Sequence, residues 1–259
     1  PELPAPWVFG PWNDAIKGAD RVNEVADRLR TFDAPSTAIW TEDWKGGEDN
    51  GATGYHLTGE WTVDETLYPN ADQMAADLED RGFKWLAYFS PFVFEDTSVW
   101  DDAVANDALV LNPDGDPYLF QSALLGTQTG WVDLSTNIGR DWVGGYLQGA
   151  IDLGFDGWMA DFGEWLPADA VLASGISALE AHNAYPEWWQ ETNRDAIGDQ
   201  DVAFFVRSGW IRTGGLVPAV WAGDQRTSFD PDDGLPTVIS MGLGLAASGV
   251  PIFTHDVAG

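Results

Sequence analysis

The chain has 259 residues, 44% of them hydrophobic, with no cysteine and 42 acidic against 12 basic residues, for a formal net charge of −30 at pH 7. That length and apolar share suit one large α/β barrel or two smaller domains. The missing thiols exclude disulfide scaffolds, thiolate metal sites and cysteine nucleophiles, and the negative field excludes a nucleic acid or an anionic membrane surface as partner, because phosphate binding needs a basic footprint.

Strand-like and helix-like runs alternate along the chain. WVFGPW (7–12) is short and aromatic, and residues 17–32 carry helical spacing through Ile16, Val22, Val25, Ala26 and Leu29. STAIWTEDW (36–44) reads as a strand. YPNADQMAADLEDRGF (68–83) offers an Asn cap, an amphipathic helix and a stop at Gly82. KWLAYFSPFV (84–93) is the next strand, closed by Pro91, and a helix-like stretch follows around 98–108. NPDGDP (112–117) is a turn between two apolar flanks and reads as a hairpin excursion. WVDLST leads into a helix over 137–153 that ends at Gly154. FDGWMADFGEW is the next strand, and residues 175–198 show a long helical pattern. VAFFVRSGW (202–210), PAVWAGDQ (218–225) and VPIFTHD (250–256) are three further strands. A helix from Asp233 to Ser248 separates the last two, and Gly242, Gly244, Ala246 and Ala247 would let it lie close to a sheet.

The β-α order repeats about seven times. Strands that are apolar throughout point to a parallel sheet buried on both faces. A (β/α)₈ TIM barrel is the natural closed form. A doubly wound open sheet is the alternative, weakened because no Gly-rich phosphate loop follows the first strand. Polar residues gather at the strand C-terminal ends, where a barrel keeps its active site: Glu42, Asp43, Asp161, Glu164, Arg207, Asp224, His255 and Asp256.

The acidic excess is mostly Asp and runs along the whole chain. High salt screens such self-repulsion, so a halophilic source is expected. Fifteen Trp are too many to be ligand contacts alone; some fill the core and others are expected on sugar faces. No apolar run reaches the length of a membrane span and no signal peptide opens the sequence, so a soluble protein, cytoplasmic rather than secreted, is expected.

Asp161 and Asp224 stand just past two of the apolar runs, each among small residues and aromatics. Two carboxylates facing one cavity can cleave a glycosidic bond. A retaining mechanism needs them about 5–5.5 Å apart, one attacking the anomeric carbon and one protonating the leaving oxygen. A single Asp more often caps a helix or ties down a loop, but neither of these two precedes a helix start that needs a cap. The three histidines, His56, His182 and His255, have no metal-ligand spacing, and DPDDG (230–234) lacks the closing Glu of a calcium loop, so no metal and no cofactor are expected.

GWMADFGEWLP, VRSG, VWAGDQ, DDGLPTVIS and FTHDVAG, in this order, strongly resemble glycoside hydrolase family 31, and WVFGPW and IWTEDW extend the resemblance over nearly the whole chain. The resemblance implies a retaining α-glycosidase on a (β/α)₈ barrel. It implies Asp161 as nucleophile and Asp224 as acid/base. Arg207 and Trp221 would surround the sugar next to the cleaved bond, His255 would bind its hydroxyls, and Asp43 would reach the hydroxyls at its far end. Trp40, Glu42 and Glu164 complete the expected sugar-binding set. Arg207 is expected to hold the nucleophile ionised, and Trp221 to wall in the acid and keep it protonated. The family continues into an eighth strand and carries flanking β-domains. Residues 1–259 are therefore expected to be one catalytic barrel, incomplete at its C-terminus, with the flanking domains missing.

WMADFGEWLP and WAGDQ look most like the sulfoquinovosidase branch of that family, which cleaves α-glycosides of a 6-sulfonated glucose. That branch holds the sulfonate with an Arg and a Trp just after the second strand, with a Gln or Glu inside the pocket, a place Glu42 would take. No Arg occurs between Arg30 and Arg81. A neutral hexose, α-glucose above all, is the expected substrate, with the sulfonated sugar as the alternative. A non-catalytic carbohydrate-binding barrel is the alternative of another class.

Overall fold

A computed structural model describes residues 3–49, 51, 54–121 and 127–256. Seven short strands form one sheet: β1 (Trp12–Asp14), β2 (Ala38–Trp40), β3 (Lys84–Phe89), β4 (Gly157–Ala160), β5 (Ala203–Val206), β6 (Ala219–Trp221) and β7 (Phe253–Thr254). They pair in their chain order, and every pairing is parallel. A doubly wound sheet reverses its strand order at a switch point. This one never reverses, which is the winding of a barrel and removes the doubly wound alternative. Among the described residues the winding has seven strands, with β1 and β7 at its edges. Residues 257–259, the end of the FTHDVAG string, lie outside the described residues.

Both faces of the sheet are apolar, which is why the strands do not alternate apolar with polar. Trp85, Ala87, Phe89, Trp158, Ala160, Phe204 and Val206 pack in the large core. The residues between them, Tyr88, Met159 and Phe205, join Trp221, Trp12 and Trp40 in a second cluster. A period of two thus splits each strand between two apolar layers. Trp44, Trp61, Trp85, Trp131, Trp158 and Trp189 are fully buried, so a large share of the tryptophan is core.

The helices are α1 (Ala19–Thr31), α2 (Ala71–Asp80), α3 (Ser98–Ala105), α4 (Asn137–Leu153), α5 (Tyr185–Ile197) and α6 (Leu235–Ala247). Several differ from the sequence pattern. Asn70 precedes α2 in the left-handed region, φ 56, and makes no side-chain capping bond. The long pattern over 175–198 splits into Ala178–Ala181 and α5, because Pro186, which has no N–H to donate, opens a new helix in its first turn. WVFGPW holds a 3₁₀ turn, Pro6–Phe9, before β1 begins at Trp12. Of the small residues expected to seat α6, Gly242 does so: a Cβ there would stand 2.8 Å from the Phe253 ring. Gly244 faces open space. Residues 230–234 form the turn that leads into α6.

Two excursions leave the C-terminal ends of strands. After β2 comes the hairpin Gly47–Asp49 with Tyr55–Leu57. After β3 a three-stranded antiparallel sheet pairs Phe92–Phe94 and Phe120–Gln121 with Gln128–Trp131. The expected turn at 112–117 is there, closed by Asn112 N–H to the Asp116 carbonyl at 2.8 Å.

Candidate active site

The C-terminal ends of these strands surround a cavity of about 1020 Å³. Asp161 and Asp224 both line it, and so do Trp40, Glu42, Arg207, Trp221 and His255. Asp43 and Glu164, also expected to touch the sugar, do not.

Asp161 directly follows β4 and is 6% exposed. The next residue, Phe162, has φ 59, and Gly163 has φ 110. A left-handed non-glycine residue costs about 1 kcal/mol and persists only where the surroundings hold it. Ser208 Oγ donates to the Phe162 carbonyl at 2.6 Å, and the Arg207 guanidinium stacks 3.7 Å over the Phe162 ring. Gly163 has no room for a side chain, since a Cβ would stand 2.8 Å from Ser208 Oγ.

The Asp161 carboxylate accepts from Tyr88 Oη at 2.7 Å and from the Phe162 N–H at 2.9 Å. Arg207 Nε approaches it at 3.5 Å, but the same Nε donates to Glu164 Oε1 at 2.9 Å. Arg207 is thus held mainly by Glu164, which explains why Glu164 orients the arginine instead of facing the cavity. The expectation that Arg207 would keep Asp161 acidic is corrected. Burial pushes the Asp161 carboxyl up, and this outweighs the opposing effects of Arg207, the Tyr88 bond and the Phe162 bond. Tyr88, on the cavity face of β3, was missed in the sequence; its signal was a hydroxyl inside an otherwise apolar run.

Asp224 follows β6 and is exposed at the cavity. The expectation of an enclosing wall from Trp221 is corrected: Trp221 is buried, and its indole N–H donates to Asp256 Oδ1 at 2.9 Å. Asp256 lines the same cavity, and burial raises its carboxyl, opposed by the Trp221 bond and reinforced by the charge of Asp224. His255 lines the cavity with Nδ1 2.8 Å from the Asp256 carbonyl.

After β2 the chain makes a 3₁₀ turn, Glu42–Lys45. Successive residues on such a turn point about 120° apart. Glu42 faces the cavity, whereas Asp43 is fully buried. The Asp43 carboxylate accepts from the hydroxyls of Tyr55 and Tyr68 and, at 2.8 Å, from the Lys17 N–H. Its oxygens are used inside the protein, so its expected contact with the sugar is corrected to an internal anchor. Asp14, at the end of β1, faces the cavity instead. It obeys the rule that picked out Asp161, an acid just past an aromatic strand, and was missed because β1 is only three residues long.

Asp14 is exposed to the cavity, and partial desolvation by the surrounding walls, helped by the Asp43 and Asp256 charges, pushes it up to about 6. Burial likewise pushes Glu42 up to about 7, with Asp14 and Asp43 adding to it and Lys45 opposing it. A raised carboxyl costs folding nothing while protonated in both states. Its cost appears as pH rises through the unfolded value and is complete above the folded one. The Glu42 displacement, from 4.5 to about 7, corresponds to about 3 kcal/mol at most. Glu42→Gln should therefore gain little in Tm over wild type at pH 4 and progressively more up to pH 8. A thermal-melt series that shows the same difference at every pH would remove this account of Glu42.

The Glycosyl hydrolases family 31 TIM-barrel domain model matches residues 1–259. A sulfoquinovosidase of Agrobacterium fabrum (strain C58 / ATCC 33970) is 33% identical over 268 residues, covering 100% of this chain and 39% of the relative. A sulfoquinovosidase of Escherichia coli (strain K12) is 31% identical over 265 residues, covering 100% and 38%. Among solved structures, a GH31 family sulfoquinovosidase from E. rectale in complex with the aza-sugar inhibitor IFGSQ superimposes with a TM-score of 0.93 at 29% identity, covering 100% of this chain and 39% of that one. The chain spans about two fifths of the length of the curated relatives it matches.

Proposed function

Because the chain belongs to glycoside hydrolase family 31, whose barrel model spans it from end to end, we propose that it is the catalytic barrel of a retaining α-glycosidase. The observation that carries this reading is that Asp161 and Asp224, from the ends of two different strands, line one cavity. Asp161, aimed by the Tyr88 hydroxyl, attacks the anomeric carbon. Asp224, on the open side, gives its proton to the departing oxygen, so the aglycone leaves toward solvent. A β-linked glycosyl-enzyme results. Asp224 then takes a proton from water as the water attacks, and the product keeps the α configuration. Trp40 and Trp221 offer ring faces to the sugar, and Glu42, Asp14, His255 and Asp256 offer hydrogen bonds to its hydroxyls.

Two substrate classes have support. The likeness to sulfoquinovosidases at 33% and 31% identity favours a 6-sulfonated α-glucoside. The lack of any Arg between Arg30 and Arg81 favours a neutral α-hexoside. The test is a panel of chromogenic aryl α-glycosides, assayed with the full-length polypeptide that carries this chain, at low and high salt. Turnover of an α-glycoside with the α-anomer as first product is expected. Binding without turnover would replace the enzyme with a carbohydrate-binding barrel, and a β-anomer as first product would end the double-displacement reading.

A further inference from the structure

Three charged side chains meet where β4 and β5 end: Asp161, Glu164 and Arg207. Arg207 Nε and Nη2 both donate to one oxygen of Glu164, Oε1, at 2.9 and 2.5 Å. Nε carries a single hydrogen, so its 3.5 Å approach to Asp161 Oδ1 is an ion pair without a hydrogen bond. The Phe162 ring covers the guanidinium at 3.7 Å. The other Glu164 oxygen, Oε2, is buried and has no partner among the described residues. An arginine–carboxylate pair is strongest when both oxygens are taken in a fork, and an idle buried oxygen is costly. The pair forgoes its strongest geometry, and the guanidinium stays beside Asp161.

Other groups also act on Asp161. Tyr88, on β3, donates to Oδ2, and the Phe162 N–H donates to Oδ1. Glu42 and Lys45, on the turn after β2, act through space. Arg207 opposes the effect of burial on Asp161 more than any other group, and Glu164 adds to that effect. In double displacement the Asp161 carboxylate becomes a neutral ester and then a carboxylate again. A cation bonded tightly to the free carboxylate would stabilise the ground state and weaken the attack. It would then stand beside an uncharged ester, a costly state for a guanidinium away from water. Glu164 meets both demands. It keeps Nε and Nη2 off Asp161 in the free enzyme, and it remains an anion beside Arg207 in the glycosyl-enzyme.

We propose that Glu164 is a positioning residue that draws the Arg207 donors away from Asp161, so that the nucleophile stays reactive and the arginine keeps an anion through both steps. The proposal rests on the α-glycosidase reading and deepens it by naming what tunes the nucleophile. In the first step an Asp161 oxygen bonds to the anomeric carbon. The bond to the aglycone oxygen breaks with its electron pair, and Asp224 supplies the proton. In the second step water attacks the same carbon, the ester bond breaks and its electron pair returns to Asp161, while Asp224 takes the proton. Without the Glu164 charge, Arg207 turns to Asp161. The carboxylate then attacks less readily in the first step and departs more readily in the second.

The experiment compares wild type, Glu164→Gln and Glu164→Asp in the full-length polypeptide, on a dinitrophenyl α-glycoside whose sugar wild type turns over. In Glu164→Gln kcat/KM, which reports the first step, should fall roughly 10-fold, the scale of a hydrogen bond to a charged group gained in the ground state. With so good a leaving group kcat reports the second step, and it should fall less or rise. The acid limb of kcat/KM against pH reports the nucleophile of the free enzyme. It should move to lower pH by about one unit, because a cation brought closer favours the ionised carboxyl. Glu164→Asp keeps the charge and should recover part of both effects. Far-UV spectra and Tm are recorded for each variant. If Glu164→Gln does not fold, Glu164→Asp must show the same split and the same direction of shift in smaller measure. Equal falls in kcat and kcat/KM with an unmoved acid limb, or an acid limb moved to higher pH, would overturn the role of Glu164 and leave the α-glycosidase reading standing. If wild type turns over no α-glycoside, that reading itself fails.

Discussion

Asp161→Ala should lower turnover of an aryl α-glycoside by a factor on the order of 10⁴ or more, the scale seen when a covalent nucleophile is lost. Asp161→Asn should do nearly the same, because an amide cannot displace the aglycone. The two variants separate chemistry from folding. Burial already disfavours the Asp161 charge, so the isosteric amide should keep the wild-type far-UV spectrum and Tm. Tyr88 can still donate to the amide oxygen. Azide supplied to Asp161→Ala with a glycosyl fluoride should enter where the carboxylate stood. It displaces fluoride in a single inversion and leaves a β-glycosyl azide. Turnover near the wild-type rate in Asp161→Ala would end the assignment, and an α-azide would show that another residue is the nucleophile.

Asp224→Ala should affect the two steps differently. A dinitrophenolate leaves without help, so formation of the glycosyl-enzyme from a dinitrophenyl glycoside should fall less than about tenfold. An alkyl aglycone needs the proton, and its turnover should fall roughly 10²- to 10⁴-fold, the usual contribution of general acid catalysis. The second step loses its base, so the intermediate should accumulate and a burst of phenolate should precede slow turnover. Azide should relieve this block, since an anion needs no base, and should give an α-glycosyl azide after two inversions. Equal losses on both aglycones would show that Asp224 is not the proton donor. The exposed position of Asp224 suits a group that must meet both a departing aglycone and an arriving water.

The strands were legible because their apolar residues bury both faces of the sheet, and WMA and AFFV leave little room for another reading. The barrel winding followed from their order. The carboxylates behind the strands were less legible. Glu42 and Asp43 are neighbours in one string, and nothing in that string says which of them turns inward. A 3₁₀ turn decides it, and two tyrosines 12 and 25 positions further on claim Asp43. Glu164 and Arg207 are likewise 43 positions apart, so their pairing depends on β4 and β5 being neighbours. Lys45 is the one lysine of KGGEDNGATGYHLTGEW (45–61), and nothing in that string says that its side chain is buried. Its burial depends on how the hairpin arm folds over the turn, a long-range packing outcome that local pattern does not carry.

The backbone beside Asp161 sits in an unfavourable conformation that a neighbouring strand maintains. Ser208 fastens the Phe162 carbonyl, and Arg207 presses on the Phe162 ring. The posture of the reacting carboxylate is therefore inherited from VRSG as much as from ADFGE. Transplanting one string into another barrel without its companion would deliver the letters and lose the aim, so the smallest portable unit of this chemistry is a pair of adjacent strand tips.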